Sequence, residues 1–226
     1  MTPEKLHIGR DIVIFIGPEG SGKTTIARRL ASETGKPYLT TGDVLRDLAE
    51  NDDGVWGDKC RVMFAEHTYL DGETLLEILV DRFRKKDTKN GFILDGGLRT
   101  FEETTAFQGM LEAAGRDLPV TVIHLDIPEW MSLDRLVLGE NARKRSDDTY
   151  EGVTSRLSKY FTQLEERISV IENQPNWRLV HIDATQTVPC VFEAVCEGNE
   201  VKYTHIAGSS NGRTSPSGGE YSRFES

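Results

Sequence analysis

Cysteine is scarce in this chain of 226 residues. The three present, Cys60, Cys190 and Cys196, have neither pairing nor metal-ligand spacing. A sparse, odd set leaves out a disulfide framework and a zinc knuckle and fits a reducing cytoplasm. Long apolar runs are missing. The longest, Ile12 to Ile16, falls far short of the ~20 residues that span a bilayer, which leaves out a membrane-spanning protein. Met1 to Arg10 carries Glu4, Lys5, His7 and Arg10 with no apolar core, unlike a secretory signal. Excess positive charge is missing as well: 27 Lys and Arg face 37 Asp and Glu, a net charge of −10. Such a chain repels nucleic acid at long range, and any polyanionic ligand must be met by a local basic cluster. No repeat, heptad pattern or apolar surface stripe demands an oligomer, so a monomer is expected. The length suffices for one domain with a core that needs no covalent staples.

Asp11 to Ile16 reads as a strand buried on both faces, being continuous and β-branched. Pro37–Leu39, Gly91–Leu94, Val120–Leu125 and Arg178–Ile182 are further strand candidates. Between them lie helical patterns over Lys23–Glu33, Glu73–Phe83, Phe101–Ala114 and Asp148–Glu172. Strands alternating with helices predict an α/β fold, a parallel sheet covered on both faces. Two stretches break the alternation. Residues 40–71 are helical and polar. Residues 138–148 are polar and charge-balanced, with Glu140, Asp147 and Asp148 set against Arg143, Lys144 and Arg145. Insertions at strand ends are where ligand-gripping covers are built. Residues 1–196 read as the functional domain. Residues 197–226, rich in Ser and Gly towards the end, read as a disordered tail.

Gly17-Pro18-Glu19-Gly20-Ser21-Gly22-Lys23-Thr24 fits G-x-x-x-x-G-K-[ST] between a strand and a helix. Its glycines let the backbone curl so that N–H groups converge on phosphate oxygens, and the next helix aims its positive end there. Lys23 supplies a mobile charge for the outer phosphates, and the Thr24 hydroxyl can reach a magnesium ion. The plain alternative is a Gly-rich turn capping a helix. The strand–loop–helix setting favours a nucleoside triphosphate.

Thr40-Thr41-Gly42-Asp43-Val44-Leu45-Arg46 opens a second helix. Read alone, Asp43 is a cap and Arg46 a solvated charge. Phe92-Ile93-Leu94-Asp95-Gly96 is an apolar strand ending in a carboxylate, at the strand end where open parallel sheets bind ligands. Asp95 is placed there to hold water of a magnesium shell, and Arg99 to meet a phosphate. Arg135, Arg143, Arg145 and Arg156 surround the polar stretch 138–148. Elsewhere such a set is a solvated salt-bridge face, but an acidic chain that binds a triphosphate needs local cations.

Together these residues resemble the adenylate kinase family of nucleoside monophosphate kinases. Gly17 to Thr24 looks like its phosphate loop, and Thr41-Gly42-Asp43-x-x-Arg46 like its monophosphate-binding segment. Gly91-Phe92-Ile93-Leu94-Asp95-Gly96-x-x-Arg99-Thr100 is similar to its Gly-Phe-x-x-Asp-Gly-Phe-Pro-Arg-Thr segment. Arg135, Arg145-Ser146-Asp147-Asp148 and Arg156 resemble its lid borders. The likeness covers about residues 10 to 195. It implies a P-loop NTPase fold with a five-stranded parallel sheet, helices on both faces, a helical monophosphate-binding insertion and a short zinc-free lid. It implies a cytoplasmic enzyme that moves the γ-phosphoryl group of Mg-ATP to a nucleoside monophosphate, AMP first among them. Gly17, Gly20, Ser21, Gly22, Lys23, Thr24, Thr25 and Arg135 would bind ATP, with Arg135 stacked on the donor base. Thr41, Gly42, Arg46, Arg99 and Glu103 would bind the acceptor. Lys23, Arg99, Arg145 and Arg156 would act on the transferring group. Thr24 and, through water, Asp95 would serve Mg2+.

The chain departs from the pattern at three places. Gly97-Leu98 replaces Phe-Pro, which removes a rigid turn before Arg99. Gly139 stands where the family has a further lid arginine. Glu103 stands where adenylate kinases carry a Gln that reads the acceptor adenine, and an ionised Glu can only accept hydrogen bonds. Two alternatives follow: a kinase for CMP, UMP or dCMP, and a nucleotide-binding regulator with little turnover.

Overall fold

The computed structural model describes residues 5–7, 9–66, 68, 70–140, 142–143, 148–199 and 202–204. In chain order its elements are β1 (Lys5–His7), β2 (Ile12–Ile16), α1 (Lys23–Thr34), β3 (Tyr38–Leu39), α2 (Thr41–Asn51), α3 (Val55–Glu66), α4 (Gly72–Arg84), β4 (Ile93–Asp95), α5 (Phe101–Ala113), β5 (Val120–Asp126), α6 (Glu129–Leu133), α7 (Tyr150–Thr162), α8 (Leu164–Glu172), β6 (Trp177–Asp183), α9 (Val188–Gly198) and β7 (Lys202–Thr204). Five of the strands form one parallel sheet in the order β3-β4-β2-β5-β6.

The unbroken apolar run of β2 follows from its central place. Val13 and Phe15 enter the core under α1 and α9, with Ile26, Leu30, Val191 and Phe192. Ile12, Ile14 and Ile16 enter the opposite core under α4, α5 and α8, with Leu79, Phe83, Phe107 and Ile171. Each such side chain contributes about 1.5–3 kcal/mol when buried, so an in–out alternation here would forfeit one core. β6, at the sheet edge, is only partly covered.

Helix starts follow from caps. The Thr40, Asp71, Thr100 and Thr149 side chains each accept from a backbone N–H in the first turn of α2, α4, α5 and α7. The cap of α2 is therefore Thr40, and Asp43 is left to pair with Arg46. Helices α2 and α3 carry a small core of their own, Leu45 and Cys60 against Ile78 of α4.

Two expectations are corrected. The helix predicted over 148–172 is two helices. Thr162 returns its hydroxyl to Ser158 O (2.8 Å), a back-bond that bends helices, and Gln163 (ψ 0°) separates α7 from α8. The boundary predicted at 196 falls inside α9, and β7 pairs antiparallel with β1, so ordered structure extends into the predicted tail. Backbone pairing between three-residue strands leaves no side-chain pattern to read. Residues 205–226 lie outside the described residues, as do Arg145 and much of 138–148. Among the described residues, no helix is long and apolar enough to cross a membrane.

Candidate active site

A cleft of about 1120 Å³ opens at the carboxyl ends of the strands. It brings together Gly17, Gly20, Gly22, Lys23, Thr24 and Thr25 from the phosphate loop and Gly42 and Arg46 from α2. Asp95 is the last residue of β4 and Arg99 lies just beyond it, while Arg135 comes from the π turn Asp134–Leu138 after α6 and Arg156 from α7. Ser21 is buried beneath the loop. Thr41 and Glu103 are not among the described residues that line the cleft, whereas Thr40 is.

The loop between β2 and α1 is tight. Gly17 has φ 148°, and a side chain there would collide with Leu125 O and Ser21 Oγ. Lys23 Nζ donates to Gly17 O (2.7 Å) and Pro18 O (2.8 Å) and lies 3.4 Å from Ser21 Oγ. It thus fills the curl of its own loop. Burial pulls its pKa down to about 8, against the pull of Asp95 and Glu19 in the other direction. A polyphosphate reverses that, because an adjacent anion favours the ammonium. Binding then takes up a proton wherever the free lysine is neutral. Affinity for ATP is therefore expected to hold steady up to about pH 7.5 and to weaken by up to tenfold per pH unit above 8. Above pH 7.5 the phosphates are already ionised, so calorimetric titration between pH 7.5 and 9.5 isolates the lysine. A flat profile, or one shared by Lys23→Met, contradicts the assignment.

The two residues nominated for magnesium meet. Thr24 Oγ1 donates to Asp95 Oδ2 at 2.7 Å across a separation of 71 residues. The Tyr38 hydroxyl donates to the same oxygen at 2.6 Å, and burial beside this carboxylate raises its pKa well above the ordinary phenol range. The Arg28 guanidinium lies 4.7 Å from the Tyr38 ring centroid. Sequence reading missed Tyr38 and Arg28, and β3 is too short to have signalled that its tyrosine faces the site.

Arg46 Nη2 pairs with Asp43 Oδ1 at 2.6 Å, an exposed contact that holds the Asp43 carboxyl below its ordinary pKa. Arg99 is tied at its base. Its Nε donates to Gly96 O (2.5 Å), its backbone N–H donates to Glu103 Oε2 (2.6 Å), and its carbonyl accepts from Arg167 Nη1 (3.0 Å). Glu103 thus serves the backbone of the Arg99 segment. The Gly97-Leu98 segment that stands in place of Phe-Pro is closely packed. Leu98 is fully buried at φ 55°, and a side chain at Gly97 would press on Leu94.

Arg135 bridges the loop to the end of β6, donating to Gly20 O (3.0 Å) and Ala184 O (3.2 Å). Arg143 and Arg156 share Asp148, whose side chain is 0% exposed. Arg143 forks onto both oxygens (2.8 and 2.5 Å), and Arg156 Nη2 reaches Oδ1 (3.2 Å). Both also face Glu19 of the phosphate loop, Arg156 at 3.0 Å and Arg143 at 3.6 Å. Asp148 is thus buried between two partly exposed arginines and ties them together. The sequence placed Arg143 among the cations around residues 138–148 but carried no sign of the Glu19 contact.

The profile of the family described as adenylate kinase matches residues 15–175. The chain is 33% identical over 180 residues to a Mycobacterium leprae protein named adenylate kinase, covering 80% of this chain and 94% of that one. It is 30% identical over 187 residues to one from Bacteroides fragilis, covering 83% and 96%. A Thermotoga neapolitana protein of the same name is 33% identical over 124 residues, covering 55% and 56%.

Proposed function

This chain belongs to the adenylate kinase family and is a nucleoside monophosphate kinase, and on that footing we propose that its acceptor is AMP, the reaction being ATP + AMP to two ADP. One observation carries this reading. A single cleft sets the phosphate loop, with Lys23, against a second cationic border formed by Arg46 and Arg99. That suits two phosphate-bearing ligands placed end to end. The names of the relatives favour adenine.

In the transfer, the bond from the γ-phosphorus to the β,γ-bridging oxygen breaks, and one to an oxygen of the acceptor phosphate forms. Little covalent work falls to the protein, and in-line placement and neutralisation of charge dominate. Two nucleotides bring about six negative charges. Lys23 leaves its backbone carbonyls for the phosphoryl group in flight. Arg99 and Arg46 fork onto the acceptor phosphate, which arginine suits because it stays charged and planar. Arg143 and Arg156 face the donor phosphates, which compete for them with Glu19. Arg135 supports the donor site from Gly20. We read Glu103 as a residue that fixes the Arg99 backbone.

Thr24 and Asp95 present a hydroxyl and a carboxylate 2.7 Å apart. Hard oxygens of this kind fit Mg2+, which they would hold directly and through water. Bound there with ATP, the ion would supply neutralisation of phosphate charge. Tyr38 keeps the Asp95 carboxylate turned towards Thr24. We take the enzyme to be cytoplasmic and monomeric.

The test is a coupled assay with Mg-ATP and, separately, AMP, CMP, UMP and GMP. Turnover with AMP is expected to exceed the others by ~10²-fold or more, the discrimination of a site that hydrogen-bonds its base. Preference for CMP or UMP moves the function to pyrimidine nucleotides. Silence with every acceptor, with ATP still bound, refutes the kinase reading.

A further inference from the structure

We propose that Arg167 is a positioning residue for Arg99, an inference that rests on reading Arg99 as the clamp on the acceptor phosphate. Arg167 is 2% exposed, the largest of the fully buried side chains. Among the described residues, no carboxylate stands within ion-pair distance of it; burial lowers its pKa, opposed by Tyr160 and by the more distant charge of Glu103. A cation stripped of water without a paired anion is worse for stability than an apolar side chain of the same volume. What it holds is therefore the point of interest.

Arg167 Nη1 donates to two successive carbonyls, Leu98 O at 2.9 Å and Arg99 O at 3.0 Å. These two carbonyls belong to the turn that carries Arg99. Leu98 sits at φ 55°, a region its side chain disfavours. Arg99 follows immediately and is itself exposed. Two N–H bonds of one planar nitrogen fix the direction of both peptide carbonyls, which no other side chain does with the same geometry. The Glu103 carboxylate secures the opposite side of Arg99, at its N–H.

Arg167 is braced in turn. Its Nε donates to Gln163 O (3.3 Å), and its Cζ lies 4.7 Å from the Tyr160 ring centroid. The Tyr160 hydroxyl lies 3.1 Å from His124 Nε2, and His124 Nδ1 lies 3.1 Å from His181 Nδ1. A connected path of contacts thus runs from two sheet strands through α7 and α8 to the clamp.

The test compares wild type with Arg167→Met and Arg167→Lys, varying each substrate in turn and recording melting curves. For Arg167→Met, kcat/KM for AMP is expected to fall ~10²-fold, the effect of a small misplacement of a phosphate-gripping group, with KM for ATP within about twofold. Arg167→Lys keeps the charge and one or two donors, so it should restore about a tenth of the lost efficiency and carry the test if Arg167→Met does not fold. In an Arg99→Ala background, Arg167→Met should add little, because a positioning residue acts only through its client. Parallel losses for ATP and AMP, or additivity with Arg99→Ala, would reduce Arg167 to a packing role and overturn the proposal. AMP binding at equilibrium, read on the same variants, needs no turnover. Wild type that binds AMP without transferring phosphate defeats the functional reading and leaves this one standing.

Discussion

Lys23→Ala is expected to lower kcat by ~10³-fold or more while the protein stays folded. The magnitude is that of removing one preorganised charge from the groups that develop charge during transfer. The fold should tolerate the change for a reason visible in the structure. Lys23 gives up bonds to Gly17 O and Pro18 O, each worth about 1 kcal/mol, but the burial that pulls its pKa down to about 8 is relieved at the same time. The two effects oppose each other, so the melting temperature should move by only a few degrees. Lys23→Arg should rescue little. A planar guanidinium does not fit a curl that accepts a compact ammonium between two carbonyls 2.7 and 2.8 Å away. Turnover within tenfold of wild type in a normally melting Lys23→Ala protein would remove Lys23 from the chemistry.

The phosphate loop and the sheet were legible in the sequence because both are local. Ile12–Ile16 announces a strand covered on both faces, and G-x-x-x-x-G-K-[ST] constrains eight consecutive positions. Asp95 could be placed at a strand end without knowing what it touches. What it touches was not legible. Tyr38 and Thr24 reach its carboxylate across 57 and 71 residues, and periodicity reports the face a residue takes, never its partner. The same holds for Glu19, which reads as a spacer inside the loop motif yet meets Arg143 and Arg156, more than 120 residues away. Arg167 is the clearest case. It lies next to Ile168 in a helical pattern, where an arginine is ordinarily a solvated edge residue. Only the packing of α8 under the Arg99 turn buries it. Gly97-Leu98 shows the same limit: sequence registers the lost proline but not the guanidinium that donates to the carbonyls of the turn.

Arg99→Ala should be the second severe lesion, and a selective one. kcat/KM for the acceptor is expected to fall by ~10²–10³-fold with little change in KM for ATP, since Arg99 lines the part of the cleft proposed to hold the acceptor. Arg46→Ala should cost less, and the structure says why. Arg46 is 57% exposed and paired with Asp43 one turn away. An exposed pair of that kind is worth about 0.2–1 kcal/mol. Arg46 therefore gives up little to reach a phosphate, but it must first be fixed in place. Arg99 is already fixed, through Gly96 O at its Nε, Glu103 at its N–H and Arg167 at its carbonyl. A group preorganised in this way loses less entropy when it grips its ligand, so more of its interaction survives into the transition state. Steady-state kinetics of both alanine variants, with each substrate varied, decides the order. Equal penalties for the two, or a loss at Arg99 that falls on ATP as heavily as on the monophosphate, would mean that the acceptor phosphate is not held where the backbone bonds of Arg99 aim it.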